Sequence, residues 1–197
     1  MKITRLTILL FVVISSSCGL SAGKSNTSND DKAEVRDLVI QVLKWHERNG
    51  VFNGFVPIFN ANDSLAIGMD LKVLQDALDN FAESKLFDKE FINNYSNIVT
   101  SIDKKIKNRE IVFMDGDMPP YAGANPWCNC QDYPYDNPWD KIDVKFVNID
   151  NDDAVLTWTW GDSDWSKYFK YKVKAKKIKG AWKISYLEGF DFDEMTK

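Results

Sequence analysis

The stretch from Met114 to Asp140 gathers most of the side chains with chemistry to offer. It holds Tyr121, Trp127, Tyr133, Tyr135 and Trp139, with Gln131, Asp132 and Asp136 among them, and Cys128 and Cys130 separated only by Asn129. Aromatic faces stack on sugar rings or bury against a protein partner, while carboxylates accept from hydroxyls or pair with Arg and Lys. The aromatic and acidic residues are therefore candidates for a ligand- or partner-binding face. The competing reading is a loop that folds back over the core and buries the same rings. Pro119, Pro120, Pro126, Pro134 and Pro138 with Gly116 and Gly123 keep the stretch from reading as helix or strand. Long irregular loops are uncommon in compact domains and are often functional.

Cys128 and Cys130 admit more than one chemistry. In an extended chain their Cα atoms sit near the upper limit for a bridge, so a disulfide needs a local turn, which Asn129 and the surrounding Pro and Gly favour. A metal site would have to manage without a second cysteine pair, with the single histidine, His46, far away in sequence. A redox pair more usually has the spacing C-x-x-C. His46 has no Ser or Cys in a nucleophile motif. The acidic runs Asp115-Gly116-Asp117, Asp150 to Asp153 and Asp162-Ser163-Asp164 lack calcium-loop spacing and read as turns. The sequence assigns no catalytic residue, no metal ligand and no cofactor.

The elements that must position this loop are legible on both sides of it. Val35, Leu38, Val39, Val42, Leu43 and His46 form one stripe at helical spacing, predicting a helix over Lys32 to Asn49 that stops at Gly50. Val51 to Ser64 reads as loop, with one short extended piece at Gly54 to Phe59. Asp70 caps a second predicted helix carrying Leu71, Leu74, Leu78 and Phe81, and Asp88 a third carrying Phe91, Tyr95, Ile98, Ile102 and Ile106. Beyond the loop the period falls to two. Ile142, Val144 and Phe146 alternate with polar residues, then Leu156, Trp158 and Trp160, then Phe169, Tyr171, Val173 and Ala175 against a row of lysines, then Trp182, Ile184 and Tyr186. Short turns between such runs mean antiparallel hairpins. Helices followed by a β-meander predict a single α+β domain over residues 33–197.

The start of the chain predicts export. Lys2 and Arg5 precede the apolar run Leu6 to Ile14, then Ser15, Ser16, Ser17 and Cys18. A basic start, a short apolar stretch and small residues form a secretion signal, too short to span a bilayer, which takes about 20 apolar residues. The run into Cys18 resembles a bacterial lipobox, with Ser15 where Leu is usual. That implies a signal over residues 1–17 and acylation of Cys18, with plain secretion as the alternative. Residues 18–32 are polar and poor in large apolar side chains, as a flexible tether would be. By resemblance, the residues after Cys18 imply the outer membrane, facing the periplasm. Removing residues 1–17 moves the formal charge from −4 to −6, which argues against nucleic acid as a partner.

Gln131-Asp132, Asp136, Pro138 and Trp139, followed by Trp182-Lys183-Ile184, resemble a family of exported bacterial lipoproteins of unknown function, of the YbjP/YqhG type. The resemblance covers about Ala33 to Tyr186 and implies a fold like nuclear transport factor 2, a helix-lined cone on a curved sheet. It implies no activity, and Cys128 and Cys130 depart from it. A cone would offer a pocket lined by Tyr95, Trp158, Trp160 and Trp182. Two functions follow as expectations. One is a membrane-tethered binding lipoprotein that recognises another envelope protein through the aromatic loop. The other is a small-ligand or glycan binder using the cone pocket, with hydrolase or isomerase chemistry as its remote extension.

Overall fold

The computed structural model describes residues 29–197. The expected signal, Cys18 and the tether up to residue 28 lie outside the described residues. Helix α1 runs Asn29–Asn49, so residues 29–32, expected in the tether, belong to the helix. It buries Val35, Leu38, Val39, Val42, Leu43, Trp45 and His46, the predicted stripe with Trp45 added. A two-stranded ribbon follows, β1 (Pro57–Phe59) and β2 (Ala66–Met69), of which the second lies beyond the expected extended piece.

Both predicted capping residues act as caps. Asp70 accepts from the backbone amides of Lys72 and Val73 at the start of α2 (Leu71–Ser84), and Asp88 accepts from Phe91 at the start of α3 (Lys89–Lys107). Helix α2 turns Leu74, Ala77 and Phe81 inward, whereas Leu71 is exposed. Helix α3 buries Phe91, Tyr95, Ile98, Val99, Ile102 and Ile106.

The second half is a four-stranded antiparallel meander, β3 (Asp143–Asp150), β4 (Asp153–Thr159), β5 (Tyr171–Ile178) and β6 (Ala181–Leu187), in that spatial order. The period-two pattern holds in register: Leu156 faces Val173, and Trp158 faces Tyr171. Lys172 and Lys174 lie on the solvated side of β5, but farther along Lys176 pairs with Glu90 of α3 at 2.5 Å and Lys177 with Asp31 of α1 at 2.5 Å. A short helix, α4 (Phe192–Met195), closes the chain. The fold is α+β, with α1 and α3 against β6.

The concavity expected between helices and sheet is filled. Tyr95, Trp158 and Trp160 have no solvent exposure, and Trp182 is also buried. Tyr95 packs edge-on against Phe81 at 4.7 Å between ring centroids, and Trp158 against Trp160 at 4.9 Å. These rings are core, held by apolar burial and by edge-to-face contacts each worth about 0.5–1.5 kcal/mol beyond area.

Candidate functional site

The long loop between α3 and β3 does not present an aromatic face. Trp127, Trp139 and Tyr121 are buried, the first two with 1% exposure. Trp127 packs among rings of α1, α2 and α3, stacked on His46 at 5.1 Å and edge-on to Phe190 at 4.9 Å, and its indole N–H donates to the Val51 carbonyl at 2.9 Å. Trp139 lies edge-on to His46 at 5.3 Å. Tyr135 is half-buried, with its hydroxyl donating to the Trp160 carbonyl, and Tyr133 accepts from the Asn125 side chain. The cause is area: an indole buried in a helix–sheet core gains more than one left at the surface of a loop. Gln131, Asp132 and Asp136 are exposed and do not join the rings. Neither Asp132 nor Asp136 has a hydrogen-bond partner among the described residues, whereas Gln131 donates to the Gly123 carbonyl at 3.0 Å.

His46 belongs to this buried layer. It has no exposure, and neither ring nitrogen makes a hydrogen bond of good geometry among the described residues. Burial lowers its pKa to about 4, with the Leu43 carbonyl acting weakly in the opposite direction. At neutral pH it is an uncharged aromatic spacer between two tryptophans.

Cys128 and Cys130 form a disulfide, with Cα atoms 5.2 Å apart. The local turn it requires is present: Asn129 takes a left-handed backbone, φ +50°, which Asn tolerates better than most side chains. Asn125 organises the turn. Its backbone N–H donates to the Cys130 carbonyl at 2.9 Å, its side-chain oxygen accepts from Trp127 at 3.0 Å, and its carbonyl accepts from the Cys128 amide at 3.2 Å.

The outer side of this braced turn forms one wall of a cleft of about 530 Å³, contributed by Tyr121, Ala124, Pro126 and Asn129. The facing wall comes from the end of β6 and the segment after it, Tyr186, Glu188, Gly189, Asp191, Glu194 and Met195. A buried tyrosine joins the two walls. The Tyr171 hydroxyl donates to the Pro126 carbonyl at 2.6 Å and accepts from the Gly189 amide at 3.0 Å. Gly189 is required for this approach, since a Cβ there would stand 1.8 Å from the Pro126 oxygen. The acidic wall is equally fixed. Glu188 accepts from the Lys172 amide at 2.6 Å. Asp191 caps α4 through one oxygen and accepts from the Tyr186 hydroxyl through the other at 3.1 Å.

A tyrosine lines the cleft on each wall. Burial first, then the charge of Asp191 and its hydrogen bond, push the Tyr186 hydroxyl up to about 12. Burial alone pushes Tyr121 up to about 12, and its occluded hydroxyl has no hydrogen-bond partner among the described residues. Both stay protonated at neutral pH. Among the described residues no Lys or Arg lines the cleft itself, though Lys197 pairs with Glu194 and Lys174 lies over the Tyr186 ring at 5.0 Å. It is thus a polar, acidic, tyrosine-flanked recess with fixed walls, suited to holding a guest.

Of the binding-face candidates read from sequence, Tyr121 lines this cleft while Cys128 and Cys130 brace it from behind, and Tyr186, read from sequence as a strand residue, lines the facing wall. Glu188, Asp191 and Glu194 carry no sequence motif; the available signals were Gly189 among apolar residues and the capping pattern at Asp191. Among the described residues no three His, Cys, Asp or Glu side chains converge as a metal site would require, and no helix is long and apolar enough to cross a membrane. No protein family, no curated protein and no solved structure matches the chain.

Proposed function

We propose that this protein is a binding module of the bacterial envelope, tethered through acylated Cys18 and facing the periplasm at the outer membrane. Its partner is another envelope protein that inserts a side chain into the cleft between the Cys128–Cys130 turn and the Glu188–Met195 segment. The observation that carries this reading is the locking of the two walls by Tyr171, at 2.6 Å to Pro126 and 3.0 Å to Gly189. A recess held open by a buried hydrogen-bond bridge is preorganised, so binding does not have to order it first.

The aromatic loop contributes by shaping one wall of this recess, not by direct contact through Trp127 or Trp139. Replacing those tryptophans would remove core, so it could not separate binding from folding. Filling the cleft from its rim can. In intact cells, chemical cross-linking of the full-length chain is expected to capture one envelope protein in stoichiometric yield. Capture should fall sharply in Cys18→Ala, which removes the anchor, and in Ala124→Trp, which occupies the cleft. Undiminished capture by a folded Ala124→Trp variant would take the cleft out of the function.

A further inference from the structure

We infer that a basic recess with an apolar floor, beside the β5–β6 turn, docks on the anionic lipid surface of the membrane and so turns the cleft outward. The inference rests on the proposed tether at Cys18 and goes beyond it. The recess, of about 700 Å³, lies between the turn from α2 into α3 and the β5–β6 hairpin. Phe87, Ile92 and Ile178 contribute to its apolar lining, and Ile178 is 38% exposed. Lys89, Lys179 and Lys183 line it as well, and among the described residues none of the three is ion-paired. The one carboxylate in the lining, Asp88, is buried and accepts from the Phe91 amide as the α3 cap. Three unpaired cations around an apolar floor, in a chain of net charge −4, suit an anionic amphiphilic surface. Lysine stems lie along apolar surface while their ammonium groups reach the headgroups.

The place where the chain enters the domain gives an independent reason. Asp31, in the first turn of α1, accepts from Lys177 Nζ at 2.5 Å and from the Trp182 indole at 3.0 Å, which fixes the start of α1 to the same hairpin. Ten residues separate Cys18 from Asn29, so even at full extension this end of the domain stays within about 40 Å of the anchor. The two sides of the hairpin differ in charge. On the α1 side a second recess carries Glu34 and Asp37 and no lysine, so it repels an anionic surface. The acidic β3–β4 turn lies on the far side of β5 from β6. The side formed by α2 and α3 is therefore the one that seats. Strand β6 begins at this hairpin and ends at Leu187, beside the cleft and about 20 Å along the strand. Seating the recess on lipid thus points Glu188 and Asp191 away from the bilayer, where a partner can reach them.

The test reconstitutes the full-length, acylated protein in nanodiscs of phosphatidylcholine alone and of phosphatidylcholine mixed with phosphatidylglycerol, and reads amide hydrogen exchange by mass spectrometry. In the anionic discs, residues 178–183 are expected to exchange at least about fivefold more slowly than in the zwitterionic ones, the gain that a single lysine brings at an anionic surface. The protection should vanish at high salt, which screens exposed charges. Residues 34–37 and 188–195 should exchange alike in both discs. Lys89→Gln, Lys179→Gln and Lys183→Gln combined keep the stems and remove the charge; that variant should melt like wild type and lose the protection. Ile178→Ser should weaken it less. Equal exchange of residues 178–183 in the two discs by the tethered wild type, or protection that survives in the triple variant, overturns the inference and leaves the tether and the cleft standing. A mature chain without an acyl group on Cys18 removes the tether, and this inference with it.

Discussion

The loop between α3 and β3 behaves differently on its two sides. Its inner side, Trp127, Cys128 and Trp139, joins the core and meets His46, Phe190 and the rings of the sheet. Its outer side, Tyr121, Ala124, Pro126 and Asn129, is more polar and faces carboxylates across a recess. Residues with the strongest look of a binding surface serve to fix the backbone. Residues with no such look, around Gly189, complete the recess. Where large apolar rings are available to a small core they are drawn inward, and the surface recess is left to backbone turns and charged groups that the core holds in place.

That contrast can be broken or sharpened by substitution, starting with the inner side. Trp127→Ala is expected to cost about 3–5 kcal/mol, the usual range for truncating a buried indole, seen in chemical denaturation of the full-length chain. A loss below about 1 kcal/mol would mean that Trp127 is not core. Next is His46. Its folded pKa of about 4 lies below the ordinary 6.5, so between these pH values the unfolded chain takes up a proton that the folded chain refuses. The associated stability is fully present above pH 6.5 and is lost as pH falls toward 4. At about 1.36 kcal/mol per pH unit this amounts to roughly 3 kcal/mol. His46→Phe preserves the ring between the tryptophans and should flatten that part of the stability–pH curve relative to wild type. Parallel curves would contradict a buried, neutral histidine.

The bridge between the two sides comes third. Tyr171→Phe leaves the Gly189 amide and the Pro126 carbonyl, both in buried residues, without their shared partner. It should cost about 1–3 kcal/mol and speed hydrogen exchange at Gly189. Unchanged exchange there would show that the walls are held by something else. The smallest effect has the opposite sign. Tyr121→Phe removes a buried hydroxyl that is unpaired among the described residues and should leave stability unchanged or raise it by about 1 kcal/mol. A clear loss in stability would mean that the hydroxyl has a structural partner after all.

Much of the fold was legible because its determinants are local. Asp70 and Asp88 read as caps from sequence and act as caps, and the alternation of Leu156 and Trp158 sets the inward face of β4, with Trp160 buried just beyond it. Boundaries slipped where local signals fade: α1 starts at Asn29, β2 follows a loop without alternation, and α4 spans a single turn. The cleft was largely illegible for a different reason. Gly189 meets Pro126 and Asn129 across more than fifty residues of chain, and no local periodicity encodes such an approach. The sequence left the chemistry of Cys128 and Cys130 open because the bridge depends on the left-handed turn at Asn129, which Asn allows without requiring it.

The central claim is that recognition occurs at the cleft and not along the exposed end of the loop. Its most direct test is a photo-reactive residue introduced in living cells at Ala124, on the cleft wall, and separately at Asp136, exposed on the same loop. The account predicts an adduct with one envelope protein from position 124 and none from position 136. An adduct from position 136 alone, or equal adducts from both, would contradict it.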